Sequence, residues 1–110
     1  LYVVVANWPA ERAHAWRTLL QARAMDAQAW VLGVNRVGSA QDLAHRGDSM
    51  LVDPTGEPTA IASLGESVLL AEVTSEAVRQ ARDRYGFLAD RRPEVYRAID
   101  RGRSSARSEE

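Results

Sequence analysis

The chain has 110 residues, of which 45% are hydrophobic, and its formal net charge is −1. This size and composition correspond to one domain or to part of a larger one, and they exclude general disorder. The near-neutral charge gives no reason to expect binding to nucleic acid or to a membrane surface, and no apolar run reaches the ~20 residues that span a bilayer. With no signal peptide visible, we expect a cytoplasmic protein.

The sequence contains no cysteine, and every residue in its Lys and Arg count of 14 is an arginine. Disulfides, thiolate metal sites and a cysteine nucleophile are therefore excluded within this chain. His14 and His45 have no second histidine or cysteine at ligand spacing, so we expect no metal site. Nothing in the sequence calls for a cofactor.

Residues 1–36 are read as a strand, a helix and a second strand. Residues 1–6 and 29–34 are apolar runs that do not alternate with polar residues, which is typical of strands buried on both faces of a parallel sheet. A helical pattern covers residues 10–28 between them, and Asn7 is its candidate N-cap. The apolar face of this helix, at three- and four-residue spacing, consists of Ala13, Trp16, Leu20, Ala24 and Ala27.

Two pairs of residues, Asn7-Trp8 and Asn35-Arg36, directly follow the predicted strands. Because ligands of open α/β sheets bind beyond the carboxyl ends of the strands, we expect these pairs to lie near each other and to form a binding site. Asn7 could position the polar end of a substrate and Trp8 could wall its pocket. Asn35 and Arg36 could bind a carboxylate, because a guanidinium offers two parallel donors. The alternative roles are structural: a helix cap, buried packing, a turn and an ion pair.

The rest of the chain predicts further strands and a helix. Residues 38–46 are polar and predict a loop, and residues 48–52 and 57–62 predict a hairpin around Asp53-Pro54-Thr55-Gly56. Residues 68–73 predict a third strand, which gives an antiparallel meander. Thr74 or Ser75 can cap a helix that runs to about Tyr85. Residues 94–99 predict one more helical turn, and residues 101–110 a disordered polar tail after a domain of residues 1–100.

A mixed sheet with helices over only part of its faces leaves apolar strand surface uncovered. The chain is therefore either an unusual small α/β domain or a fragment of a larger one. Because the sequence begins at Leu1 rather than at a methionine, we favour the fragment.

Several motifs, in order along residues 1–96, resemble the nitrilase, or carbon–nitrogen hydrolase, superfamily. They are Ala6-Asn7-Trp8-Pro9, Trp16-Arg17-x-Leu19-Leu20-x-Ala22-Arg23-Ala24, Val31-x-Gly33-Val34-Asn35-Arg36-Val37-Gly38, Gly47-Asp48-Ser49-Met50-x-Val52-Asp53-Pro54-x-Gly56-Glu57 and the more loosely spaced Glu72-Val73, Arg79-x-x-Arg82 and Phe87-Leu88-x-Asp90-Arg91-Arg92-x-x-x-Tyr96. The Asn-Trp-Pro and Val-Asn-Arg-Val-Gly forms look most like the ω-amidase branch. Two positions depart from the family pattern: Ala27 stands in place of an Asn, and Gly86 in place of a Pro.

The resemblance implies a four-layer α-β-β-α sandwich, usually dimeric, of which this chain is the C-terminal part. The family uses a Glu-Lys-Cys triad in which Cys attacks the amide or nitrile carbon, Glu moves protons and Lys stabilises the tetrahedral intermediate. All three precede the position that Leu1 matches. The chain would then belong to an enzyme that cleaves a 2-oxo acid amide, with substrate-binding but no catalytic residues, and would be inactive alone. The alternative is an inactive remnant or a standalone interaction module of the same fold.

Overall fold

The computed structural model describes residues 1–97, so the predicted tail and the end of the predicted turn at 94–99 lie outside the described residues. Residues 93–97 are helical, as predicted. The elements in chain order are β1 (Tyr2–Ala6), a 3₁₀ helix (Ala10–Arg12), α1 (Ala13–Ala27), β2 (Val31–Asn35), β3 (Val37–Ala40), β4 (Leu43–Val52), β5 (Pro58–Ser63) and α2 (Ser75–Arg84).

The strands form one mixed sheet. β1 and β2 are parallel, which confirms the predicted strand–helix–strand unit. β4 runs antiparallel to both β2 and β3, which follow each other along one of its edges on either side of Arg36. β5 pairs antiparallel with the other edge of β4. The turn at Asp53-Pro54-Thr55-Gly56 joins β4 to β5, where the Asp53 carboxylate accepts hydrogen bonds from the Thr55 and Glu57 amides at 2.8 and 3.0 Å.

α1 packs on one face of the sheet and forms the core. Its buried residues are Trp16, Leu20 and Ala24, which belong to the apolar face that the sequence predicts. They pack with Val31, Met50 and Val52 of the sheet. Burial of each large apolar side chain contributes about 1.5–3 kcal/mol, so this layer supplies much of the stability.

α2 is fixed to the rest of the fold by side chains at its two ends. The predicted cap is confirmed, because the Thr74 hydroxyl accepts a hydrogen bond from the Ala77 amide at 3.3 Å. The Trp30 indole N–H donates to the Thr74 carbonyl oxygen at 2.9 Å. The Gln28 side-chain nitrogen Nε2 donates to the Ala81 and Tyr85 carbonyl oxygens at 3.2 and 2.7 Å.

Two predicted elements are wrong. Residues 38–46, predicted as a loop, form most of the β3–β4 hairpin, which turns at Gln41 and Asp42 with positive φ angles of 50° and 62°. Its exposed polar residues weaken the apolar pattern that signals a strand. Residues 68–73 form no strand, and Val68 and Leu70 are 85% and 88% exposed. No backbone hydrogen bond joins this segment to a strand of the described residues.

Two expectations about β1 and its neighbourhood are also wrong. The expected burial on both faces is wrong for both parallel strands. β1, an edge strand of the sheet, is exposed along most of its length. β2 is fully buried only on the face towards α1, and Val34 on its other face is 40% exposed. Asn7 does not cap the helix: a 3₁₀ turn precedes α1, and neither Pro9 nor Arg12, the residues at the two N-cap positions, makes a side-chain cap bond. No helix among residues 1–97 is long and apolar enough to cross a bilayer.

Candidate functional site

The carboxyl ends of β1 and β2 lie side by side, as predicted. Ala6 is opposite Asn35 in the parallel register. The Asn35 side-chain oxygen accepts a hydrogen bond from the Trp8 amide at 2.7 Å, and its amide nitrogen donates to the Trp8 carbonyl oxygen at 3.1 Å. The same nitrogen donates to the Gly47 carbonyl oxygen at 2.8 Å, so Asn35 joins the loop after β1 to β4.

Ser49 fixes the backbone of Asn35 in turn. Its hydroxyl accepts a hydrogen bond from the Asn35 amide at 3.0 Å and donates to the Asn35 carbonyl oxygen at 3.2 Å. The side chain and backbone of Asn35 are thus both bonded within the protein. This arrangement favours Asn35 as the residue that sets the position of Trp8, rather than as a group free to bind a ligand.

The Trp8 ring turns towards α1. Its centroid lies 5.7 Å from that of Trp16, and the Arg12 guanidinium lies 4.6 Å above it. The Trp8 indole N–H donates to the Arg12 carbonyl oxygen at 2.7 Å. Packing on both sides leaves this ring little freedom to move, and Asn7 is held next to it in an exposed position.

Arg36 lies on the other face of the sheet. The Cβ position of Gly33 points at α1, so Leu32 and Val34 point away from it, because successive residues of a strand face opposite sides. Arg36 is exposed and continues this second set. The strand ends therefore meet, but the Trp8 ring and the Arg36 side chain leave the sheet on opposite faces.

A groove of about 450 Å³ runs along the face away from α1, a volume that suits a small molecule. Its apolar lining includes Leu32, Val34, Leu51, Ala62, Leu69 and Val73. Its polar lining includes Arg36, Asn35, Ser49, Glu66 and Ser67. An apolar groove with one guanidinium can hold a small acid by its carboxylate.

A bulge in β4, which the sequence does not predict, lies next to Asn35 and is bonded to it through the Gly47 carbonyl oxygen. Gly47 pairs with Ser63 and Ser49 with Ala62, which leaves Asp48 without a partner in β5. Gly47 and Asp48 both have positive φ angles, 73° and 53°. The signal for it is the Gly-Asp pair itself, because these two residue types enter the left-handed region at the lowest cost.

The buried Asp48 carboxylate anchors this bulge. It accepts a hydrogen bond from the Ser63 hydroxyl at 2.6 Å and forms ion pairs with Arg17 and Arg46 at 3.0 and 3.5 Å. Burial acts to raise the pKa of Asp48, but the Ser63 hydroxyl and the two guanidiniums outweigh it and hold the pKa below the ordinary value. Asp48 is therefore a buried anion at neutral pH.

His45, Asp48 and Ser49 do not form a hydrolytic triad. Ser49 bonds the Asn35 backbone and Asp48 bonds Ser63, while the buried His45 ring has no hydrogen-bond partner among the described residues. Within residues 1–97 no group of three potential metal-ligating side chains comes together either.

Comparison with known proteins gives a consistent result. The family model for carbon–nitrogen hydrolases matches residues 2–83. The chain is 44% identical over 87 residues to the ω-amidase YafV of Escherichia coli K12, which covers 77% of this chain and 34% of the relative. It is 35% identical over 98 residues to the 2-oxoglutaramate amidase of Paenarthrobacter nicotinovorans, with 89% and 33% covered. The chain thus spans about a third of the length of the curated relatives it matches.

Solved structures resemble the fold as well. A CN-hydrolase superfamily protein from Xanthomonas campestris superposes with a TM-score of 0.75 at 34% identity, over 84% of this chain and 36% of that one. The NitFhit protein of Caenorhabditis elegans superposes with a TM-score of 0.74 at 28% identity, over 86% and 24%.

Proposed function

The chain belongs to the carbon–nitrogen hydrolase family, and from that premise we propose that it is the C-terminal part of an amidase acting on a small 2-oxo acid amide. The products are the 2-oxo acid and ammonia. Relatives named as ω-amidase and as 2-oxoglutaramate amidase support this substrate class. The proposal places the Cys nucleophile and its Glu and Lys partners upstream of Leu1, since this chain contains neither cysteine nor lysine.

The observation that carries the proposal is the junction of the two strand ends, where Asn35 bonds the backbone of Trp8 on both its N–H and C=O sides. A site that positions an amide for attack needs groups held rigidly at one edge of the sheet. Asn7, held beside the packed Trp8 ring, is exposed and available to a substrate.

Each candidate residue takes a distinct role in this proposal. Arg36 binds the carboxylate of the substrate at the polar end of the groove. Asn7 hydrogen-bonds the polar end of the substrate that lies near the thiol. Trp8 forms the fixed wall behind Asn7. Asn35 sets the position of this wall from within the protein.

The part of the sheet beside the groove also fits this proposal. Val5 of β1 is 80% exposed on the face away from α1 and does not line the groove. In a four-layer sandwich a second sheet packs against such apolar strand surface. We propose that upstream polypeptide supplies that sheet, and that the whole enzyme is a cytoplasmic homodimer.

An ammonia-release assay on the full-length protein tests the proposal. The substrates are 2-oxoglutaramate, simple amides without a carboxylate, and nitriles. We expect 2-oxoglutaramate to be hydrolysed with the highest kcat/KM, and a variant of the upstream cysteine to serine to lose activity. No release of ammonia from any of them would refute an amidase function.

The second candidate is a catalytically inactive remnant or interaction module. The lack of cysteine and lysine, together with the exposed apolar residues of β1, favours it as the alternative. It predicts that the purified 110-residue chain is stably folded as a defined oligomer, and that no longer natural form has amidase activity. Size-exclusion chromatography with amide hydrogen exchange distinguishes this from an unstable fragment.

A further inference from the structure

We propose that Asp48 is a positioning residue whose carboxylate holds the β4 bulge, and that this bulge sets the place of Trp8 and of the loop at residues 7–9. The kinetic consequence rests on the proposed amidase function. The structural consequence does not, and it can be measured without a substrate.

The bulge directs two consecutive carbonyl groups at the residues around Trp8. The Gly47 carbonyl oxygen accepts a hydrogen bond from the Asn35 side-chain nitrogen Nδ2 at 2.8 Å, and the same side chain bonds the Trp8 backbone. The Asp48 carbonyl oxygen accepts from the Trp16 indole N–H at 2.8 Å, and the Trp16 ring packs against the Trp8 ring. Two paths of contacts therefore lead from the bulge to Trp8. The path through Asn35 fixes the Trp8 backbone, and the path through Trp16 fixes the Trp8 side chain.

These two paths depend on the backbone of the bulge. The Gly47 amide donates to the Arg36 carbonyl oxygen at 3.0 Å, so the same residue also locates the chain at Arg36. An extra residue in one strand leaves the ladder locally broken, which frees carbonyl groups for other donors. A bulge of this kind keeps its shape only if something other than the ladder holds it.

The Asp48 carboxylate is that support. A non-glycine residue at a positive φ of 53° is in an unfavourable backbone conformation. Its side chain is only 2% exposed and is held from two directions, by Arg17 of α1 and by Ser63 of β5. The Ser63 hydrogen bond and the Arg17 ion pair of the buried carboxylate offset the backbone cost and hold Asp48 between the helix and the edge strand.

Loss of the charge should loosen the bulge without removing the core. Asp48→Asn keeps the size of the side chain but loses the ion pairs with Arg17 and Arg46. Ser63→Ala removes the hydrogen bond to the same carboxylate. Asp26→Asn is the matched control, because the Asp26 carboxylate also lies beside an arginine of α1. This carboxylate is 76% exposed and lies 3.8 Å from Arg23, so its ion pair is weaker than that of Asp48.

The test is hydrogen–deuterium exchange of the full-length protein, read by mass spectrometry on peptides that contain the Trp8 amide. We expect exchange to be about tenfold faster in Asp48→Asn and severalfold faster in Ser63→Ala, while α1 amides at Leu20 and Ala24 keep wild-type rates. Asp26→Asn should match the wild type throughout. In the amidase assay the two bulge variants should raise KM about tenfold and change kcat little.

Two results would overturn the proposal. In one, the Trp8 amide exchanges at the wild-type rate in both bulge variants. In the other, α1 loosens as much as Trp8 does, which would make Asp48 a support of the whole fold. A wild-type enzyme without amidase activity would refute the proposed function only, since the exchange result stands by itself.

Discussion

A Cβ atom on Gly33 would lie 2.4 Å from the Cδ1 atom of Leu20, so the absence of a side chain in β2 allows α1 to approach the sheet. The same Cβ would lie 2.8 Å from the Trp16 ring. Both contacts are closer than non-bonded carbon atoms allow. The absence of a side chain at Gly33 therefore sets the distance between α1 and the sheet. The Trp16–Asp48 hydrogen bond depends on that distance.

Gly33→Ala should destabilise the protein by about 1–3 kcal/mol, because Leu20 and Trp16 must both shift in a packed core. Chemical unfolding in urea measures the change. Gly65→Ala is the control, since a Cβ there meets nothing within 4 Å, and we expect a change below about 0.5 kcal/mol. Equal effects of the two variants would contradict the packing argument.

Asn35→Ala should cost about 1–3 kcal/mol in unfolding free energy, because it leaves the Trp8 amide and the Gly47 carbonyl group without partners. Gln80→Ala, which removes an exposed side-chain hydrogen bond to Glu76, is the control and should change little. If the two variants unfold at the same urea concentration, the Asn35 bonds do not hold the strand ends together.

Arg36→Ala should raise KM for 2-oxoglutaramate by roughly tenfold or more, the loss expected for a hydrogen-bonded charge pair with the substrate. Hydrolysis of an amide without a carboxylate should be unaffected. Arg23→Ala on the exposed side of α1 is the control. A similar loss for both kinds of amide would remove Arg36 from carboxylate binding.

Stability should fall in acid through Asp48. Since the pKa of this carboxyl is lowered in the folded state, its contribution is fully present above the unfolded value of about 4 and is lost as the pH falls through the folded value. Urea unfolding between neutral pH and about pH 3 measures this. Asp48→Asn should show a shallower loss, and an unchanged slope would contradict the assignment.

Thr74→Ala should destabilise α2 by about 1 kcal/mol, because the Ala77 amide loses its cap. Ser75→Ala, one residue later and without a cap bond, should have a smaller effect. Amide exchange in the first turn of α2 would reveal the difference, and equal protection in both variants would refute the cap.

The parts of the fold that sequence reasoning predicted are those in which local pattern and packing agree. Trp16, Leu20 and Ala24 recur at helical spacing and all three are buried. The meeting of Trp8 with Asn35 followed from strand direction alone.

The parts of the fold that sequence reasoning missed depend on contacts with residues far away in the sequence. Residues 68–73 are apolar enough for a strand but make no backbone hydrogen bond to a described strand. The bulge at Asp48 depends on Arg17 and Ser63, which come from two other elements. No local pattern around Gly47 contains that information, although the Gly-Asp pair permits it. The face to which the Trp8 ring turns was likewise decided by packing, against Trp16 and Arg12.

The open edge of β1 has a practical consequence. Tyr2–Ala6 carries no charge and no proline, the features by which natural edge strands prevent further pairing, and its residues are largely exposed. When it is produced alone, the 110-residue chain would expose the unpaired backbone groups of β1 to other copies of itself. Intermolecular β-sheet would then grow from this edge, and the chain would precipitate as its concentration rises. A Val5→Lys variant, which places a charge on this edge strand, should keep it in solution.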